Sequence, residues 1–264
     1  MTSPATPGPL KLMAVLAHPD DESLGFGGTL AKYAAEGVET YLITATRGER
    51  GRFGDATEKP PPGVVGRARE AELRAAAEVL GLREVSFLDY LDAELDIVNA
   101  ADATQKIAGH IARVQPHVVI TFGPEGAYGH TDHIAISQLA TAAVVAAAVV
   151  HRVSKFYYLE WSQQKWAAYQ AALKSLSFKV DGVERRVSPW PDWALTTIID
   201  TGAVWPTVWR AVSCHKTQMS IYKNLEHLPD DQHHAIWGTQ EFYRAFSLVN
   251  GGRARETDLF EGLR

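Results

Sequence analysis

Two short stretches of this sequence carry more ligating and acid–base groups than folding alone requires. The first is His18-Pro19-Asp20-Asp21-Glu22, one imidazole and three carboxylates in five residues, directly after the apolar run Lys11–Ala17. Charged groups at the end of a buried strand cost free energy unless they are paired or bound to a cation. The second is Gly129-His130-Thr131-Asp132-His133. If it opens a helix, its two histidines, three residues apart, occupy neighbouring positions of one turn. Together the stretches offer imidazole nitrogens and carboxylate oxygens, a donor set that suits Zn²⁺. Three protein ligands and an open fourth position make a catalytic zinc site, and the acidic groups left over could serve the acid–base steps of a hydrolysis. Alone, either stretch is also compatible with a capped helix whose acidic first turn sits on the macrodipole. Their chemistry depends on whether the fold brings them together.

The surrounding elements predict that it does. Lys11–Ala17, Glu39–Thr46, Glu84–Leu88, His117–Phe122 and Lys155–Leu159 read as buried strands. Between them, Thr29–Glu36, Ala68–Leu80, Thr104–Gln115 and Thr131–Val150 have helical spacing, with Gly37, Gly81 and Pro116 as stop signals. This alternation predicts an α/β fold, a Rossmann-like and mostly parallel sheet with helices on both faces. In such sheets ligands bind beyond the carboxyl ends of the strands. Both polar stretches follow a predicted strand, so a metal site is expected at the carboxyl edge. Residues 10–160 form the regular part. Residues 161–264 are less regular and tryptophan-rich, with a hairpin signal at Asp181–Gly182, and are expected to complete one domain and wall the cleft. Gly54–Gly63, with three consecutive prolines, reads as a loop.

Composition excludes several classes. The 264 residues are 46% hydrophobic and 22% charged, enough for a large core without a metal or disulfide staple. A net charge of −5 gives no basic field for nucleic acid. The single cysteine, Cys214, rules out an internal disulfide and cysteine-rich zinc ribbons. Met1–Pro9 lacks the blocks of a secretory signal, and the apolar run Leu139–Val150 is too short for a spanning helix. A cytoplasmic protein without a transmembrane segment is expected. Gly25-Phe26-Gly27-Gly28 lacks the third glycine of a dinucleotide fingerprint and is better explained by close packing.

Ala17-His18-Pro19-Asp20-Asp21-Glu22 together with His130-Thr131-Asp132-His133 resembles the PIG-L (LmbE-like) family of zinc-dependent N-acetylglucosaminyl deacetylases. Thr46-Arg47-Gly48-Glu49, Arg69-x-x-Glu72-Leu73 and His215-Lys216-Thr217-Gln218 extend the likeness over most of residues 11–220. One departure is Thr131, where the family often has proline; it alters local rigidity but no ligand. The resemblance implies that His18, Asp21 and His133 bind zinc, replaceable by another divalent metal such as Fe²⁺. It implies that Asp20 is the general base, that His130 as an imidazolium and Tyr128 stabilise the oxyanion, and that Asp132 tunes His130. Arg69 would line the sugar site, with Glu49 and His215 as further substrate contacts. The partner implied is a small amino-sugar substrate, and exposed aromatic residues would permit a homo-oligomer.

Two other readings use the same residues. A non-haem iron(II) oxygenase also needs two histidines and one carboxylate. The His-x-x-Asp spacing, the α/β rhythm and the spare Asp20 argue against it. A sugar-binding module with a purely structural metal would leave Asp20 and His130 without a role.

Overall fold

The five predicted strands form, and their burial follows from their composition. β1 (Lys11–Leu16), β2 (Glu39–Thr46), β3 (Glu84–Tyr90), β4 (Val118–Phe122) and β5 (Lys155–Glu160) run parallel. β4 is buried along its whole length and β1 from Leu12 onward, as expected of central strands covered on both faces. The computed structural model describes residues 8–173, 177–180, 182–252 and 254–264. Most of the proline-rich start, and Asp181 of the predicted hairpin, lie outside the described residues.

β1 is followed by α1 (Asp21–Leu24) and α2 (Gly27–Ala35), and β2 by α3 (Pro62–Leu80). α4 (Ala100–Val114) follows β3, and the irregular turn α5 (Gly126–Gly129) leads from β4 into α6 (Thr131–Ala147). α3 begins six residues before the predicted Ala68, inside the segment expected to be loop. Pro62 is its first residue, where proline's fixed φ suits a helix and its missing N–H costs nothing. Then come α7 (Gln163–Leu173), the hairpin β6 (Ser177–Val180) and β7 (Val183–Arg186), β8 (Thr197–Asp200), α8 (Trp205–Val212), α9 (Met219–Glu226), α10 (Asp230–Trp237) and β9 (Thr239–Ser247).

The seven-stranded sheet has the order β3-β2-β1-β4-β5-β9-β8, with β9 antiparallel to both neighbours. Helices α4 and α6 pack together, while α2, α3 and α8 form a separate group, the arrangement that right-handed crossovers produce on opposite faces. The chain reverses direction of travel between β1 and β4, so a crevice opens beyond their carboxyl ends. Both polar clusters are delivered to that crevice.

The C-terminal residues are tied into the same sheet. Glu256 accepts from Lys155 Nζ at 2.6 Å and from the Tyr157 and Thr197 hydroxyls at 2.8 Å each, and Arg244 Nη1 lies 2.7 Å away. Burial would raise this carboxyl, but Lys155 and the other donors hold it down at about 2. A second apolar cluster, including Trp166, Tyr222, Leu225 and Trp237, joins α7 to α10. Trp193, in contrast, is 86% exposed. Gly28 packs as expected, since a Cβ there would lie 2.8 Å from Thr201 Cβ. Among the described residues, no helix is long and apolar enough to cross a membrane.

Candidate metal centre

Asp21 enters the crevice as the first residue of α1. Its Oδ2 accepts the backbone N–H groups of Ala17 (3.2 Å) and His18 (2.8 Å), which turns Oδ1 toward His133 Nε2 at 3.3 Å. His18 Nδ1 lies 3.2 Å from the same His133 nitrogen and 3.6 Å from Asp21 Oδ2. Donors around a tetrahedral zinc with bonds of about 2.0–2.1 Å stand about 3.3–3.4 Å apart. The three side chains therefore present donors at the spacing of one ion. Phe122 stacks on the His133 ring, centroids 4.0 Å apart and 7° from parallel, and holds its plane.

A second set of atoms, from His18, His130 and Asp132, is equally close. Its donors are already committed. Asp132 Oδ2 accepts from Ala93 N at 2.7 Å and Oδ1 from Leu95 N at 3.2 Å, while His130 Nδ1 accepts the Asp132 N–H at 3.2 Å. The first set is the metal site that the geometry supports.

Two carboxylates stand behind His18. Its Nε2 lies 3.0 Å from Asp132 Oδ2 and 3.2 Å from Asp92 Oδ1. Burial alone would lower the His18 pKa, and these carboxylates raise it instead to about 10. The same partners make the imidazole a stronger metal ligand and fix its orientation. The Asp132 charge acts to raise His130, as expected, and its carboxylate also serves His18, because α6 turns that side chain toward the β3 loop. Burial would likewise raise Asp21, but His133 and His18 hold it well below the usual carboxylate range.

Asp20 lies beside the triad with φ 110 and ψ −25, a left-handed conformation costly for aspartate. The cost is met by a buried brace. Its N–H donates to Glu22 Oε2 at 2.9 Å, and Glu22 Oε1 is 2.7 Å from His215 Nε2. Burial raises the Asp20 carboxyl, with Arg69 pulling the other way. Arg69 Nη2 lies 3.2 Å from Asp20 Oδ2 and donates to the Pro19 carbonyl, and Nη1 donates to the Gly48 carbonyl at 2.9 Å. Gly48 has φ +64, and any Cβ there would fall 2.0 Å from Arg69 Nη1, so glycine is required on both counts.

Tyr128 sits on the turn between β4 and α6, after Ala127 at φ 63 and ψ −81, and meets the His130 and His133 rings edge-on. Burial pushes its phenol above the ordinary range. His130 was expected as an imidazolium. Burial first, then the neighbouring His133 and His18, push it down to about 3, and its Nδ1 lone pair is taken by the Asp132 N–H. The neutral ring with its proton on Nε2 fits this bonding.

The expected substrate contacts are placed differently. His215 is fully buried against Glu22 and does not reach the crevice. Glu49 is 9% exposed and accepts the Asp92 N–H at 3.3 Å, so it braces the β3 loop. Arg69 is 4% exposed and engaged behind Asp20. Cys214 is half-buried with its thiol on the Arg210 carbonyl at 3.4 Å. Sequence reasoning missed Asp92, Glu22 as a brace, and Tyr222, whose hydroxyl donates to Asp20 Oδ2 at 3.0 Å. Asp92 had a signal, an aspartate just beyond a predicted strand; Tyr222 had none.

Comparison with known proteins places this geometry in context. A sequence profile of the PIG-L family, described as GlcNAc-PI de-N-acetylase, matches residues 13–144. A 1D-myo-inositol 2-acetamido-2-deoxy-alpha-D-glucopyranoside deacetylase of Rhodococcus opacus (strain B4) is 34% identical over 294 aligned positions, covering 96% of this chain and 98% of the relative. A conserved protein of Thermus thermophilus superposes with a TM-score of 0.65 at 26% identity, over 92% of this chain and 97% of that one. The 4-carboxy-2-hydroxymuconate hydratase of Pseudomonas putida superposes with a TM-score of 0.68 at 21% identity, over 93% of this chain and 100% of that one. The last likeness concerns the fold alone, and it shows that this scaffold also carries a chemistry other than deacetylation.

Proposed function

The chain belongs to the PIG-L family of GlcNAc-PI de-N-acetylases, and we propose that it hydrolyses the acetamide of an N-acetylglucosaminyl compound through a zinc held by His18, Asp21 and His133. Acetate and a free amine are the products. The observation that carries the reading is the donor triad beside Asp20, a buried carboxylate whose Oδ1 receives no hydrogen bond among the described residues. Fe²⁺ suits the same donors. The inositol-linked glucosaminide named for the relatives is the first substrate to test.

Bound there, zinc would supply a Lewis acid that lowers the pKa of a water and polarises the amide carbonyl. Asp20 Oδ1 takes the proton of the attacking water, and burial, by raising that carboxyl, makes it a better base. The neutral His130 through Nε2–H, and Tyr128 through a hydroxyl that burial keeps protonated, donate to the oxygen that gains charge. The neutral His130 cannot give up its remaining N–H without becoming an imidazolate. The leaving nitrogen therefore receives its proton from Asp20. Asp92 and Asp132 hold the His18 ring, and Arg69 anchors Asp20.

An iron oxygenase would have no use for Asp20 as a base, and a binding module would not maintain its left-handed backbone. We place the protein, one domain throughout, in the cytoplasm. The test combines elemental analysis with amine release from free N-acetylglucosamine, N,N′-diacetylchitobiose, and inositol- and malate-linked N-acetylglucosaminides. Near-stoichiometric zinc with chelator-sensitive release supports the proposal. Failure to bind metal after reconstitution refutes the mechanism, and bound zinc without release refutes the substrate class.

A further inference from the structure

We propose that Tyr222 is a positioning residue for Asp20, a role that rests on the deacetylase reading above. Tyr222 comes from α9 in the less regular C-terminal part, 202 residues beyond Asp20 in sequence. Its ring belongs to the second apolar cluster with Trp166, Leu225 and Trp237, so the phenol is carried on a packed support. Its hydroxyl donates to Asp20 Oδ2 at 3.0 Å, and Arg69 Nη2 approaches the same oxygen at 3.2 Å. Oδ1 receives no hydrogen bond among the described residues.

Two donors on one carboxylate oxygen, held by separate elements, fix the plane of the group. Arg69 is anchored by the Gly48 and Pro19 carbonyls, and Tyr222 by its cluster. Neither donor competes for Oδ1, which is left as the atom that receives a proton. A base held in one orientation avoids the loss of rate that follows when a catalytic group samples unproductive rotamers. Burial, with the Asp20 charge beside it, pushes the Tyr222 phenol well above its ordinary range and keeps it a donor. The backbone brace from Glu22 and His215 fixes the Asp20 main chain, and Tyr222 with Arg69 fixes its side chain. The C-terminal part thus helps set the catalytic carboxylate as well as walling the crevice.

The test is a double-mutant cycle of Tyr222→Phe and Asp20→Ala on the zinc-loaded protein, with crystal structures of the wild type and of Tyr222→Phe. Phenylalanine keeps the ring in its cluster, and a melting curve close to wild type establishes that it folds. The expected result is a fall in kcat of about 10- to 100-fold, the range for a lost hydrogen bond to a charged group. KM stays within roughly twofold, and zinc content is unchanged. In the Asp20→Ala background the tyrosine substitution costs nothing further, because its effect passes through the carboxylate. In the crystal of Tyr222→Phe, Asp20 occupies a second rotamer. An unchanged kcat, a raised KM with kcat intact, or an undiminished penalty in the Asp20→Ala background overturns the proposal. If the wild type released no amine from any compound, the deacetylase reading would fail by itself. The Asp20 rotamer would then decide, and a single unchanged orientation in both crystals overturns the positioning role.

Discussion

Glu22 Oε1 and His215 Nε2 lie 2.7 Å apart, sealed from solvent, and join the first metal-site motif to a segment 193 residues away. The other Glu22 oxygen holds the N–H of Asp20, so this pair sets the backbone of the proposed base. Removing one partner leaves a buried charge unmatched, which typically costs about 3–5 kcal/mol. His215→Ala is expected to lose that much in urea denaturation and to lower kcat as well. A variant with wild-type stability and turnover would show that the pair holds nothing.

Asp20→Asn keeps the shape of the side chain and removes its basicity. Zinc content is expected to stay at the wild-type level while turnover falls about 10²- to 10⁴-fold, the usual worth of a positioned base. Near-wild-type turnover at full metal occupancy would remove Asp20 from the mechanism.

Asp92 and Asp132 both face His18 Nε2, at 3.2 and 3.0 Å. Neutralising a carboxylate behind a metal-bound imidazole typically weakens metal affinity about 10- to 100-fold. Asp92→Asn should do so with the smaller loss of stability, because its carboxylate accepts one backbone N–H, that of Arg50 at 2.9 Å. Asp132→Asn should also destabilise, since its carboxylate accepts the Ala93 and Leu95 N–H groups. Competition with a chelator of known affinity separates the two variants from wild type; equal zinc retention in all three would refute the claim.

Glu160, at the carboxyl end of β5, is 2% exposed, and burial together with Glu125 raises its pKa to about 11. The folded protein therefore binds a proton that the unfolded chain releases near 4.5. The linked stability is fully present below that pH and declines as pH rises toward the folded value. Glu160→Gln supplies a neutral group of the same shape. Its melting temperature should match wild type near pH 4.5 and exceed it increasingly up to about pH 9. Parallel curves across the range would contradict the assignment.

Much of this was legible before any coordinates. β2 spans Glu39–Thr46 as read, and the other four parallel strands differ at their ends by two residues or fewer. Continuous apolar runs between helical segments have few alternatives to buried parallel strands. The family likeness rested on residues within single motifs, where chain connectivity keeps the groups near one another. The early start of α3 was not legible, because three prolines in a row suggest a loop unless it is known that the last one opens a helix. The placement of His215 differed for another reason. It lies in the segment between α8 and α9, and packing alone selects which neighbour its ring faces.

The sequence by itself determined the donors. Side-chain chemistry and strand-end placement bring His18, Asp21 and His133 to one edge of a parallel sheet, and that follows from local pattern and chirality. Only the tertiary structure decided what stands behind those donors. Asp92 behind His18, Glu22 and His215 beneath Asp20, and Tyr222 with Arg69 on its carboxylate come from elements separated by tens to hundreds of residues. Hydrogen bonds act over about 3 Å, and no periodicity along the chain encodes which distant side chain will close that last distance.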